Sequence, residues 1–188
     1  MNNINSIATV AKNNLCCSCG ICEGVCPKDA ITYQRDTLGF FKPLVSSQCI
    51  NCGLCSRSCP GINDLSVSIE HNTNHLLFGH SNDFDTRFNS SSGGLLTELL
   101  CYLLEKRIVD YVSVVSSFEY GDEPTIQLTN DIALVRQCKT SKYCPTHLGK
   151  IIKQLNLIDG SVALVGLPCQ INSIRAIAKH NKKIQNRI

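Results

Sequence analysis

Eight of the chain's 13 cysteines form two copies of one pattern. Cys16, Cys19, Cys22 and Cys26 are spaced C-x2-C-x2-C-x3-C, with Pro27 next. Cys49, Cys52, Cys55 and Cys59 repeat that spacing, with Pro60 next, so each position recurs 33 residues later. Gly20 and Gly53 keep the same offset, whereas Cys17 is out of register, because its partner position holds Ile50. So many thiols in a short stretch leave two physical options, a disulfide framework or metal ligation. The odd total and the close spacing favour metal. The first fifteen residues are polar and Asn-rich, with no apolar run of the secretory kind. Together these point to a reducing compartment and a cytoplasmic protein.

The spacing selects a kind of metal centre. Three cysteines two residues apart wrap a loop around one face of a cubane [4Fe–4S] cluster, and the fourth, just before proline, points away to ligate the other cluster. On this reading Cys16, Cys19, Cys22 and Cys59 hold one cluster, and Cys49, Cys52, Cys55 and Cys26 hold the second. A zinc ribbon needs two C-x2-C pairs and four ligands in all, but here eight are organised in two identical sets. Cys17 reads as a non-ligand; its replacement of Cys16 is the alternative arrangement. Gly20 and Gly53 lie where a side chain would crowd a cluster, and Pro27 and Pro60 end the ligand turns. The segments CCSCGICEGVCP and CINCGLCSRSCP resemble the bacterial two-cluster ferredoxin motif over residues 10–62. The resemblance implies a pseudo-twofold fold of short helices and small hairpins. Residues 30–34, a turn over 36–39 and residues 40–45 read as one such hairpin.

The remainder has a different character. Hydrophobic residues make up 43% of the 188, enough for a packed core. The net charge of +3 is too small for a dedicated nucleic-acid binder. No uncharged apolar run reaches the roughly 18 residues that a membrane helix needs. Residues 63–75 are polar and read as a linker. Leu95, Leu96, Leu99, Leu100, Leu103 and Leu104 predict an amphipathic helix with one broad apolar face. A strand over 112–116, a turn at Gly121 and Pro124, and a return strand over 125–129 follow. Further helices are expected over 131–138 and around Leu148, Ile151, Ile152 and Leu155. A buried strand over 162–165 leads to a last helix using Ile171, Ile174 and Ile177. Strands alternating with helices argue for an α/β domain with a largely covered sheet. Two or three strands are few for such a sheet, so this domain reads as incomplete or as finished by a partner.

Three features here bear on chemistry. Ser90, Ser91, Ser92, Gly93 and Gly94 open a helix, where unpaired amides suit a phosphate; a simple serine cap is the plainer reading. Cys169 sits between a strand and a helix in VGLPCQI, a position that suits a redox thiol, a further ligand or a flavin neighbour. Equally, it fits an inert cysteine at a tight turn. Cys101 reads as core, Cys138 and Cys144 match no ligand spacing, and Lys139 and Lys142 read as a solvated face, with contact to an anionic ligand as the alternative. The five histidines form no metal pattern.

The segments FGHSNDFDTRFNSSSGGLLTELLCYLLEKRIVDYVSVV, CKTSKYCPT and VALVGLPCQINSIRAI resemble the coenzyme F420 hydrogenase/dehydrogenase β-subunit family. The resemblance implies an iron–sulfur flavoprotein in which FAD exchanges hydride with a small-molecule substrate and clusters pass single electrons. It implies a flavin-site role for Ser90–Gly94 and leaves that of Cys169 open, with Cys169 as a catalytic candidate. Family members usually continue further, so the chain reads as a truncated member. The expected fold class is α+β / α/β, an N-terminal two-cluster ferredoxin-like module followed by an incomplete α/β domain. The expected division is a ferredoxin-like domain at 10–62, a linker at 63–75, a β-subunit N-terminal-like domain at 76–160 and the start of a C-terminal-like domain at 161–188. The expected function is an iron–sulfur flavoprotein oxidoreductase, or its electron-input part, working with a redox partner protein or subunit. The alternative is a non-enzymatic electron-transfer subunit that docks on a partner. A cluster-based redox sensor fits less well, because no output module is evident.

Overall fold

The computed structural model describes residues 7–63, 77–116 and 124–188. The expected linker from residue 64 onward, and the turn residue Gly121, lie outside the described residues. In chain order the elements are α1 (Ile7–Lys12), α2 (Ile21–Gly24), β1 (Ile31–Arg35), β2 (Phe41–Val45), α3 (Leu54–Arg57), α4 (Phe84–Phe88), α5 (Leu95–Glu105), β3 (Tyr111–Ser116), β4 (Thr125–Thr129), α6 (Ile132–Gln137), α7 (Gly149–Leu155), β5 (Val162–Ala163), α8 (Pro168–Ala178) and α9 (Lys182–Gln185). Among the described residues the fold is mixed α and β with two small sheets. Two compact units form, and each is discontinuous in sequence.

The first unit groups the cysteine-rich segment with residues 144–159 and 166–188. Its hairpin pairs β1 with β2 antiparallel, Ile31 opposite Val45 and Tyr33 opposite Pro43. Asp36 makes the turn by accepting from the amides of Leu38 and Phe40, both at 2.9 Å. Ile7 and Val10 of α1 pack on Cys22 and Ile31. In α7 the spacing i, i+3, i+4, i+7 works as the sequence predicts: Leu148, Ile151, Ile152 and Leu155 are all fully buried. Helix α7 lies against α2, and the Leu148 amide donates to the Cys19 carbonyl at 2.9 Å. The α7 segment thereby supports the first cysteine loop.

The second unit is built on a three-stranded sheet of order β4-β3-β5. Strands β3 and β4 are antiparallel, Val112 opposite Thr129, and β3 and β5 are parallel, Tyr111 opposite Val162. The ladder to β5 ends at Ala163, shorter than the strand expected over 162–165. Beyond it the Val165 amide donates to Ser113 Oγ at 2.8 Å, so a side chain stands where a backbone partner would continue the ladder. Val112, Val114, Val135, Leu100 and Cys101 form the core, which bears out the reading of Cys101.

The broad leucine face of α5 is corrected. The buried stripe runs through Thr97, Leu100 and Cys101, while Leu95, Leu96 and Leu99 are each 51% exposed. A sheet of three short strands offers room for a narrow i, i+3, i+4 stripe, and leucines to either side of it stay at the surface. Asp83 and Asp131 cap α4 and α6 by accepting from the Thr86 and Ala133 amides at 2.7 and 2.8 Å. Glu98 of α5 accepts from Arg136 of α6 at 2.9 Å and from Ser81 Oγ at 3.0 Å, tying the two helices together.

Candidate metal centres and the serine–glycine loop

The two cysteine loops repeat in conformation as well as in sequence. Ser18 and Asn51, related by the 33-residue offset, both have positive φ, 57° and 53°. Gly20 and Gly53, likewise related, have φ of 80° and 75° and cap α2 and α3. Backbone bonds repeat too: Gly24 N to Gly20 O matches Arg57 N to Gly53 O, and Cys26 N to Glu23 O matches Cys59 N to Ser56 O. The left-handed turn is what requires glycine. A Cβ on Gly20 would fall 2.7 Å from His147 Cβ and 2.8 Å from the Gly149 nitrogen, whereas one on Gly53 meets nothing within 4 Å among the described residues.

Cys16, Cys17, Cys19 and Cys22 of the first loop and Cys59 of the second line one cavity. Ile7, Val10, Ile21 and Pro43 form its apolar walls. Cys19 and Cys22 are only 8% and 7% exposed. Burial pushes the Cys22 thiol up to about 12, against the pull of its hydrogen bond with Tyr33 Oη, 3.0 Å from Cys22 Sγ. The hydrogen bond to Cys17 and then burial push Cys19 up, and burial does the same for Cys59. Thiols so placed resist ionisation until a cation compensates them, and thiolate is the ligating form. The donor set and its surroundings therefore fit a cluster. No group of three or more Cys, His, Asp or Glu side chains suited to a single ion is found among the described residues. A cubane asks for something else, since it spreads four ligands around its own bulk.

In the second loop, Cys55 has Cys52 and Cys26 as electrostatic neighbours, and burial raises its thiol. Cys26 Sγ accepts from the Ala30 amide at 3.3 Å. Cys52 is exposed, Cys49 and Cys55 half-buried, so this set stands nearer the surface than Cys19 and Cys22. Cys22 has Cys16, Cys59 and Cys55 as electrostatic neighbours, so sulfurs from both sets approach one another.

The structure also brings together residues that the sequence left apart. Cys17 neighbours Cys19 and Cys169, and interaction with the Cys19 thiol first, then with Cys169, holds its own thiol down at about 6. Cys169 lies in the first turn of α8, where the Leu167 amide donates to Gln170 Oε1 at 2.8 Å. Tyr33 and His147 carried no sequence signal, yet their rings stack at 5.2 Å beside Cys22. In the serine–glycine loop, Ser92, Gly93 and Gly94 are all left-handed, and Gly94 caps α5. Ser90 Oγ is buried without a partner. Ser91 Oγ accepts from the Ser141 amide at 3.0 Å, which joins this loop to the CKTSKY segment. Lys139, expected on a solvated face, pairs with Asp85 at 2.5 Å. Cys138 packs on the core and Cys144 is exposed.

Part of the chain is similar in sequence to known proteins. Residues 76–153 match the family described as coenzyme F420 hydrogenase/dehydrogenase, beta subunit N-term. The chain is 37% identical over 92 residues to the F420-dependent formate dehydrogenase subunit beta of Methanocaldococcus jannaschii, covering 48% of this chain and 24% of that one. It is 27% identical over 186 residues to an F(420)H(2) dehydrogenase subunit of Methanosarcina mazei, covering 95% and 53%. It is 27% identical over 183 residues to a coenzyme F420-dependent sulfite reductase of M. jannaschii, covering 93% and 28%. The chain thus spans between about a quarter and about half the length of these curated relatives. No helix among the described residues is long and apolar enough to cross a membrane. Over residues 76–153, less than half of its length, the chain is similar to the coenzyme F420 hydrogenase/dehydrogenase β-subunit family.

Proposed function

We propose that the chain is the electron-input part of a cytoplasmic iron–sulfur flavoprotein oxidoreductase, carrying two [4Fe–4S] clusters. One observation carries the reading: Cys16, Cys19 and Cys22 of one loop, together with Cys17, and Cys59, the fourth cysteine of the other, line a single apolar-walled cavity. That is the crossed ligation the repeat implies. Cys16, Cys19, Cys22 and Cys59 hold the inner cluster; Cys49, Cys52, Cys55 and Cys26 hold the outer one. Such clusters pass one electron at a time, and a flavin couples them to two-electron hydride chemistry. The loop Ser90–Gly94 is assigned to the phosphate of a flavin: it leads into the N-terminus of α5, and Ser90 Oγ stands buried and unpaired. The hydride-exchanging substrate is coenzyme F420, which the names of the relatives carry. Redox exchange runs through a partner subunit, for which the exposed Cys52 marks the contact side.

Cys59→Ser and Cys144→Ser separate the ligand set from the other thiols. Cys59→Ser removes about half of the bound iron while the Cys49–Cys55 loop keeps its cluster. Cys144→Ser leaves iron content unchanged. Equal loss in the two variants contradicts the assignment. About one flavin per chain marks the oxidoreductase. Full iron with no flavin marks an electron-transfer subunit instead.

A further inference from the structure

Tyr33 Oη lies 3.0 Å from Cys22 Sγ. We propose that Tyr33 is a tuning residue, whose phenol donates a hydrogen bond to the Cys22 sulfur and raises the reduction potential of the inner cluster. The proposal rests on the two-cluster reading above and adds to it a difference between the two centres.

The direction of the bond follows from chemistry. A ligating thiolate has no proton and can only accept. A phenol ordinarily titrates near 10, so at neutral pH it carries the proton to give. Reduction adds negative charge to a cluster and its sulfurs. A donor already aimed at one sulfur stabilises that charge, which moves the potential upward. The contribution is enlarged by burial. Cys19 and Cys22 see little water, so a protein dipole acts there in a medium of low dielectric.

The phenol is held, not merely near. Tyr33 sits in β1, paired with Pro43 of β2. Its ring stacks on His147 at 5.2 Å with 10° between planes. Phe41 meets the His147 ring edge-on at 5.1 Å and the Tyr33 ring at 6.5 Å. Two strands and the segment leading into α7 therefore fix the ring, leaving its hydroxyl at the sulfur. The repeat does not reproduce this device, because the residue 33 positions after Tyr33 is Ser66. The outer set has a backbone donor instead, the Ala30 amide on Cys26. A side-chain substitution at Tyr33 leaves that donor in place.

The test is Tyr33→Phe in the full chain, loaded anaerobically with iron and sulfide and titrated electrochemically under electron paramagnetic resonance. The ring and its stack are kept while the hydroxyl is lost. Expected are unchanged iron, one cluster titrating at lower potential and the other unmoved. At the wild-type midpoint of the inner cluster, its reduced-to-oxidised ratio falls several-fold. Two clusters at wild-type potentials overturn the proposal, as does an equal shift in both. A wild-type protein without two cubanes defeats the two-cluster reading instead, which separates the two failures. Wild-type protein biosynthetically labelled with 3-fluorotyrosine gives a second readout that does not depend on how the variant loads. Its more acidic phenol is a stronger donor, so the same cluster moves to higher potential, and an unmoved potential overturns the proposal.

Discussion

Gly20 and Gly53 hold the same backbone conformation at the same place in two repeated loops, yet they stand in different surroundings. Each is left-handed, which costs a residue with a Cβ about 1–2 kcal/mol. At Gly20 an added Cβ also meets His147, Leu148 and Gly149 inside 3 Å, mostly as backbone that cannot step aside. Gly20→Ala is therefore expected to lower the thermal midpoint well beyond Gly53→Ala, which adds only the conformational cost. Equal shifts would mean that the α7 segment does not press on the first loop in solution. The offset of the two glycines was legible in the sequence, and so was their place in a repeated turn. Their inequality was not, because the atoms that cause it belong to residues more than 120 positions away. Separation in sequence likewise hid the contact between Cys17 and Cys169, and the stack of His147 on Tyr33.

At the scale of elements, period and spacing located the hairpin, the strands at 111–116 and 125–129, and helices α5 to α8 within a few residues. What periodicity could not fix was how wide a face each helix buries. That depends on the partner surface, which for α5 is the sheet β4-β3-β5. The polar link between α5 and α6 was also invisible, since Glu98 and Arg136 lie 38 residues apart with no motif between them. The Arg136 hydrogen bond is the first cause that holds the Glu98 carboxyl below the ordinary range. A carboxylate depressed in the folded state adds stability that is complete above its unfolded value, about 4.3. That stability is lost as pH falls through the lower folded value. The pair is about a third exposed, so its contribution is about 1 kcal/mol or less. Glu98→Gln should therefore speed amide exchange in α5 and α6 at neutral pH, and the difference from wild type should shrink below about pH 4. A difference that grows on acidification would contradict this account.

Over the whole molecule, the two units draw their stability from different sources. The core of the second unit is aliphatic, built on Val112, Val114, Val135 and Leu100. The first packs Ile7, Val10 and Ile31 directly on cysteines that the account assigns to iron. Binding energy at such sites is folding energy. Anaerobic chelation of iron should release amide protection over α1–α3 and the hairpin while β3 and its neighbours stay protected. Uniform loss, or none, would show that the cysteine loops do not depend on metal. The most direct measurement is the count of iron and acid-labile sulfide per chain in anaerobically prepared protein, with electron paramagnetic resonance of the fully reduced form. The account predicts about eight irons and eight sulfides, as two cubanes require, with the signals of two interacting clusters. One zinc per chain with no labile sulfide, or a single cluster held without Cys59, would contradict it.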